Sequence, residues 1–324
     1  SEIAWLKIPN PGVIKNLFIP ENRAELEELC CKLYSEKKQF DVIGHTSNIL
    51  YYSTYNPENV VSTRKVNFYS VHDNVIECDC GVNVSKLSRE MVEFGFEGFE
   101  GLIDLPGTIG AAIFGNAGCY DCSITSLLEY CELLRPDGTI VRLSKDDLEL
   151  SKRSTVLKRK EVDGIILFAF LSKRKGDPTK LQAVADINRQ RRRITQPGPA
   201  KNLGSDFASV GKVTLKYRIL MLLCRVYYLL YYLKIHLTRR QITSFILKIV
   251  GHRELIPYLE WGWNRFIWKD DSAFVLFNAY KKLYLSFFQM TDWKLLKRSS
   301  IYENRYINIS QSRKLWCFVT GLRS

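Results

Sequence analysis

Gly44-His45-Thr46-Ser47-Asn48 is a run of small and polar residues set between the apolar stretch 39–43 and a second apolar stretch. A turn of this kind lets successive backbone N–H groups converge on an anion. Residues 95–120 hold seven glycines and three alanines among otherwise apolar residues. Glycine is costly in chain entropy, and so many make sense where backbone lies close to a ligand or takes positive φ. The stretch reads as a cofactor cradle. Cys78-x-Cys80 and Cys119-x-x-Cys122 are the two cysteine pairs with metal-ligand spacing, yet no second pair follows at finger spacing, and His45, His72, His236 and His252 are scattered. The nine cysteines are too few and too irregular for a disulfide framework, so they read as reduced thiols, with no metal expected.

The elements that must hold these stretches can be read from periodicity. Residues 21–34 form an acidic, apolar-periodic helix, and residues 39–44 open as a buried strand. From about residue 65 the pattern becomes short alternating strands, then a helix over 84–94, then the glycine-rich stretch. Residues 128–144 predict a hairpin turning at Pro136-Asp137-Gly138, residues 164–171 a strand, and the following Lys/Arg-rich run a helix ending near Arg193.

The whole chain has 324 residues, 46% of them apolar and 25% charged, with 10 Pro, which excludes disorder and low-complexity repeats as the main architecture. Its net charge of +13 is localised. Residues 1–210 carry 27 Lys and Arg against 28 Asp and Glu, while residues 211–324 carry 20 against 6. The basic final third attracts polyanions, among them phosphorylated small molecules and anionic lipid. No nucleic-acid reader motif is present, and nucleic acid is not expected as a partner. Residues 215–234 form a helix-like run, apolar or aromatic nearly all round, with Arg225 in its middle. It is too short between charges to span a membrane, and a domain-core helix or a peripheral contact with an anionic membrane are its two readings. The opening residues lack the basic-then-apolar pattern of a secretory leader, so a cytoplasmic protein is expected.

Four motifs in order carry a family resemblance: Gly44-x-x-Ser47-Asn48; Pro106-Gly107-Thr108-Ile109-Gly110-Ala111 with Asn116-Ala117-Gly118-x-Tyr120; Arg153-Ser154-Thr155-Val156-Leu157-Lys158; and Gln196-Pro197 followed by Gly204-Ser205-x-Phe207. Over roughly residues 1–210 the sequence resembles the UDP-N-acetylenolpyruvoylglucosamine reductases (MurB, UDP-N-acetylmuramate dehydrogenase). The resemblance implies an α+β protein with a two-subdomain FAD-binding fold of the vanillyl-alcohol-oxidase/PCMH type, followed by a divergent C-terminal substrate domain. The expected divisions are 1–64, 65–200 and a basic, aromatic-rich 201–324.

The resemblance also implies roles. Gly44, His45, Thr46, Ser47 and Asn48 would wrap the FAD pyrophosphate, Pro106, Gly107, Thr108, Gly110 and Ala111 would add a second set of amides, and Asn116, Ala117, Gly118 and Tyr120 would line the flavin. NADPH would reduce FAD, and the substrate would be a nucleotide sugar, a UDP-linked amino sugar carrying an enolpyruvyl group. Arg153 matches the electrophilic clamp, Ser205 the proton donor and Glu303 the C-terminal acidic partner. The 52-residue spacing from Arg153 to Ser205 fits the shorter of the family's two classes, which lacks an inserted substrate tyrosine.

The sequence departs from the family pattern in three places. His45 and Thr46 stand where glycines are usual, Ala208-Ser209-Val210 replaces Lys-Asn-Pro, and the substrate-domain signature is reduced to Trp263-Asn264-Arg265-Phe266-Ile267. Two alternatives therefore stay open: an FAD enzyme acting on another nucleotide- or lipid-linked sugar in surface-polysaccharide biosynthesis, and a non-catalytic scaffold that keeps the flavin fold.

Overall fold

The computed structural model describes residues 13–51, 56–151, 153–195, 212–215, 218, 222, 239–259, 288–289 and 300–302. A small parallel sheet comes first. Strands β1 (Asn16–Phe18) and β2 (Phe40–Ile43) flank β4 (Asn59–Ser62), pairing Leu17 with Val60 and Val42 with Val61. Every residue of β4 is buried, as the centre of a parallel sheet requires. Helix α1 (Arg23–Ser35) joins β1 to β2. Its start is fixed twice over: the Asn22 side chain accepts from Glu25 N–H at 3.0 Å, and the Glu25 carboxylate accepts from Glu21 N–H at 2.9 Å. Leu26, Cys30 and Leu33, on one helical stripe, are buried.

Strand β3 (Ile49–Tyr51) begins directly after the 44–48 turn and runs parallel to Ser300–Tyr302. The larger sheet is antiparallel throughout. It contains β5 (Tyr69–Val71), β6 (Val75–Asp79), β9 (Leu128–Leu134), β10 (Ile140–Ser144) and β11 (Ile165–Ser172) in the order β10-β9-β11-β6-β5. The two-residue strands β7 (Gly118–Cys119) and β8 (Cys122–Ser123) form a separate hairpin. Helix α2 (Val84–Glu93) packs on α6 (Pro178–Thr195), and the short α3 (Ile109–Phe114) lies against β6 and β11.

One hydrophobic core joins both sheets, since Leu26, Cys30 and Val61 pack in the same cluster as Ile76, Cys78, Leu167 and Ala169. Arg23, at the first turn of α1, ties them further. Its guanidinium donates to Glu77 at 2.7 Å and to Asp79 at 2.5 and 2.8 Å, and lies 3.7 Å over the Phe168 ring. Asp79 is buried, so Arg23→Ala strands a carboxylate; a loss of about 2 kcal/mol is expected, read as a lower denaturant midpoint.

The elements expected from periodicity are present, with ends shifted by a residue or two: α1, β2, α2, the β9–β10 hairpin, β11 and α6. Helix α3 was not expected, because Ile109-Gly110-Ala111-Ala112 lacks the polar face by which a surface helix is recognised. It is buried on the sheet, and Gly110 allows this: a Cβ there would sit 2.9 Å from the Cys80 Cβ. Among the described residues, no helix is long and apolar enough to cross a membrane.

Candidate functional site

The loop after β2 and the segment before α3 meet face to face. A Cβ on Gly44 would fall 2.5 Å from Thr108 Oγ1 and 2.9 Å from its Cγ2, and Thr108 is itself buried. Thr46, with φ +53°, makes the turn that a glycine would make more easily, and its carbonyl accepts from Ile49 N–H at 3.4 Å. Gly107, at φ +126°, is held where an added Cβ would meet only Ser47 Oγ, at 3.5 Å. Among the described residues, no acceptor takes the backbone N–H of Ser47, Gly107 or Thr108. Two facing loops whose amides at Ser47, Gly107 and Thr108 have no acceptor among the described residues are the kind of backbone arrangement that receives a phosphate. Gly44→Ala is expected to push the two loops apart, lowering stability by about 1–3 kcal/mol and reducing flavin retained per chain; a Tm scan and flavin absorbance measure both.

Asn83 braces this arrangement. Its Oδ1 accepts from Lys86 N–H at 2.9 Å, capping α2, so its Nδ2 is the end that donates to His45 Nδ1, at 3.1 Å. A neutral His45 therefore carries its proton on Nε2. Val84 N–H donates to the Gly107 carbonyl and Ile109 N–H to the Val82 carbonyl, joining the α2 cap to the cradle. Burial, with Arg64 adding repulsion, holds the His45 pKa below its usual value. The unfolded chain thus takes up this proton more readily than the folded one, and stability is expected to fall as pH drops below about 6.5. In His45→Gln that part of the pH dependence should vanish from the denaturation midpoints.

Arg153 is presented at the tip of a tight turn. Ser151 and Ser154 exchange backbone hydrogen bonds at 3.1 Å, and Arg153 takes φ +63° between them. Its guanidinium donates to the carbonyls of Asn116, at 3.3 Å, and Gly118. Lys158 Nζ donates to the Arg153 carbonyl at 2.9 Å. The Asn116 side chain accepts from Thr125 Oγ1 at 2.6 Å and donates to the Ser151 carbonyl at 2.8 Å. It therefore holds the arginine turn against the hairpin. Burial lowers the Arg153 pKa, with Cys119 nearby opposing the shift. Among the described residues no carboxylate lies within ion-pair distance of this guanidinium.

The far side of the same hairpin faces the end of α6. The Arg191 and Arg192 guanidiniums lie 5.4 and 5.5 Å from the Tyr120 ring centroid. Arg192 Nε and Nη2 are buried and make no hydrogen bond. Sequence reasoning missed this residue. The run Arg191-Arg192-Arg193 just before Gln196-Pro197 was the available signal, yet it reads equally well as a solvated helix end.

The structure thus brings Gly44 against Thr108 and Ser47 against Gly107, so that the 44–48 loop meets the segment before α3, while Gly110 packs on Cys80. It sets Asn116 and Gly118 against Arg153, while the Tyr120 ring lies near Arg191 and Arg192. Ser205, Glu303, the replaced segment 208–210, the Trp263–Ile267 signature and nearly all of the 215–234 run lie outside the described residues.

Residues 14–144 match the family model described as "FAD binding domain". The UDP-N-acetylenolpyruvoylglucosamine reductase of Clostridium beijerinckii is 30% identical over 207 residues, covering 64% of this chain and 67% of that protein. The chain belongs to the UDP-N-acetylenolpyruvoylglucosamine reductase family. The reductase of Caldicellulosiruptor saccharolyticus is 31% identical over 199 residues, 60% of this chain. In that relative the match spans 63% of its length, and in the Caldicellulosiruptor bescii reductase 62%. The structure of UDP-N-acetylenolpyruvylglucosamine reductase (MurB) from Thermus caldophilus superposes with a TM-score of 0.51 at 22% identity, covering 60% of this chain and 68% of that one. The fold is therefore the two-sheet α+β fold of the FAD-binding reductases.

Proposed function

We propose that this chain is an FAD-dependent oxidoreductase that draws electrons from NADPH and acts on a UDP-linked amino sugar, in the family's case by reducing an enolpyruvyl double bond. The observation that carries the reading is the pairing of an anion-ready cradle with an arginine that lacks a carboxylate. The N–H groups of Ser47, Gly107 and Thr108, which have no acceptor among the described residues, suit a pyrophosphate. The buried, unsatisfied donors of Arg192 suit an acceptor on a ligand, because buried N–H groups without partners are costly. These features fit FAD.

FAD when bound would supply hydride transfer, and the chain's own residues bind, orient and exclude water around it. Loops 44–48 and 106–111 would hold the pyrophosphate, and the hairpin from Asn116 would line the flavin. Arg153, fixed by two carbonyls and half withdrawn from water, would clamp the substrate carboxylate and stabilise charge developing next to it. Ser205 is the proposed proton donor and Glu303 the proposed acidic partner. Residues 1–64 and 65–200 are taken as the two halves of the flavin-binding unit, with 201–324 as the substrate part.

The replacement of Lys-Asn-Pro by Ala208-Ser209-Val210 favours one second reading, in which FAD is kept and the sugar is changed. Purified protein reconstituted with FAD separates these readings. Bleaching of the flavin by NADPH, followed by reoxidation on adding UDP-N-acetylglucosamine enolpyruvate without oxygen, is the expected result. Bleaching without reoxidation supports the changed sugar. A protein that takes up no FAD would overturn both.

A further inference from the structure

Strands β7 and β8 are joined by a two-residue turn, Tyr120-Asp121, and Cys119 is the direct cross-strand partner of Cys122. Both turn residues take positive φ, +49° and +63°, the twist that brings flanking strands square to each other. Directly opposed residues of such a pair have Cα atoms about 5.5 Å apart, inside the range of about 4.4–6.8 Å that a disulfide requires. The pair sits in a particular setting. Cys119 follows Gly118, whose carbonyl accepts from Arg153, and so lies within electrostatic reach of a guanidinium without a carboxylate partner among the described residues. Cys122 is wedged under Gly101, where an added Cβ would fall 2.5 Å from its Sγ.

The other described thiols are placed differently. Cys30, Cys78, Cys80 and Cys131 are buried. Burial pushes Cys30 and Cys131 up to about 12, so they stay protonated and inert. Cys31 is partly exposed, but its chain neighbour Cys30 points to another side of α1. Among the described residues, no group of three His, Cys, Asp or Glu side chains gathers around a metal position.

We infer that Cys119 and Cys122 form a dithiol–disulfide modification site that exchanges with a low-molecular-weight disulfide of the glutathione class. The Cys119 thiolate attacks one sulfur of the small disulfide, forming a mixed disulfide and expelling one small thiolate. Cys122 then loses its proton and attacks Cys119 Sγ, closing the protein disulfide and expelling the second. The chain loses two protons and two electrons, and the small disulfide takes them up to become two thiols. Cys119 is the first attacker because Cys122 Sγ is wedged under Gly101, and burial raises the Cys122 pKa, which leaves Cys122 for the second, intramolecular step.

The test is incubation of the full chain with oxidised glutathione, thiol titration, and peptide mapping by mass spectrometry. Two thiols per chain should disappear, a peptide linking Cys119 to Cys122 should form, and dithiothreitol should reverse both. Cys122→Ser should stop at a glutathione adduct on Cys119, and Cys119→Ser should give no adduct on Cys122. If the wild-type map shows no 119–122 link, or thiol loss is unchanged in Cys119→Ser, the proposal fails. The wild-type map decides by itself should either variant fold poorly, and no part of it depends on flavin or substrate.

Discussion

Arg153→Ala is expected to cut turnover of UDP-N-acetylglucosamine enolpyruvate by about 10²–10³-fold while FAD stays bound and reducible by NADPH. The arginine is half withdrawn from water, and its only described acceptors are the carbonyls of Asn116 and Gly118. Carbonyls orient a guanidinium but leave its charge uncompensated, so a substrate carboxylate arriving there gains more than it would at an exposed lysine. Arg153→Lys keeps the charge and loses the planar fork that reaches two carbonyls at once, so only partial recovery is expected. The competing role is a brace that merely holds the hairpin. In that case flavin content and reduction by NADPH would fall in step with turnover, and the substrate-binding assignment would be lost.

How much of this could be read from the sequence varies with the length scale of the interaction. Gly44, Ser47, Gly107 and Gly110 stand in short motifs whose chemistry is that of the backbone, and their order along the chain sufficed to nominate them. Their contact could not be read, because Gly44 meets Thr108, 64 residues further on, through packing alone. Asn116 adds a side-chain case: beyond its expected place lining the flavin, it accepts from Thr125 and donates to the Ser151 carbonyl, which ties it to the Arg153 turn. No local pattern in Asn116-Ala117-Gly118 records those partners. Asn83 was invisible for the same reason, since capping a helix and bonding a histidine 38 residues earlier are separate events joined only by the fold.

The hairpin at 118–123 is where these threads meet. Arg153 grips it from one side through Gly118, and Arg191 and Arg192 approach the Tyr120 ring from the other. Its geometry depends on Tyr120 and Asp121 holding positive φ, which costs about 1–2 kcal/mol for each non-glycine residue. Strain of this size persists only where surrounding contacts over-determine it, and three arginines on one short hairpin are such contacts. A change at the cysteine pair would therefore be felt first by the arginines, before the core of either sheet.

Ser205→Ala is expected to separate the two halves of the reaction. NADPH should still bleach the flavin at the wild-type rate, while reoxidation by the enolpyruvyl sugar should slow by about 10²–10⁴-fold, the usual worth of a positioned proton donor. Hydride delivered to one carbon of the double bond leaves charge on the other, next to the carboxylate that Arg153 would clamp, and that carbon needs a proton. A serine hydroxyl is a weak acid, so it serves only where a nearby cation stabilises the alkoxide left behind. Ser205→Cys, with a more acidic donor of similar reach, should recover part of the lost rate. Wild-type reoxidation in Ser205→Ala would take this serine out of the mechanism, whereas equal slowing of both half-reactions would make it a residue of the flavin site.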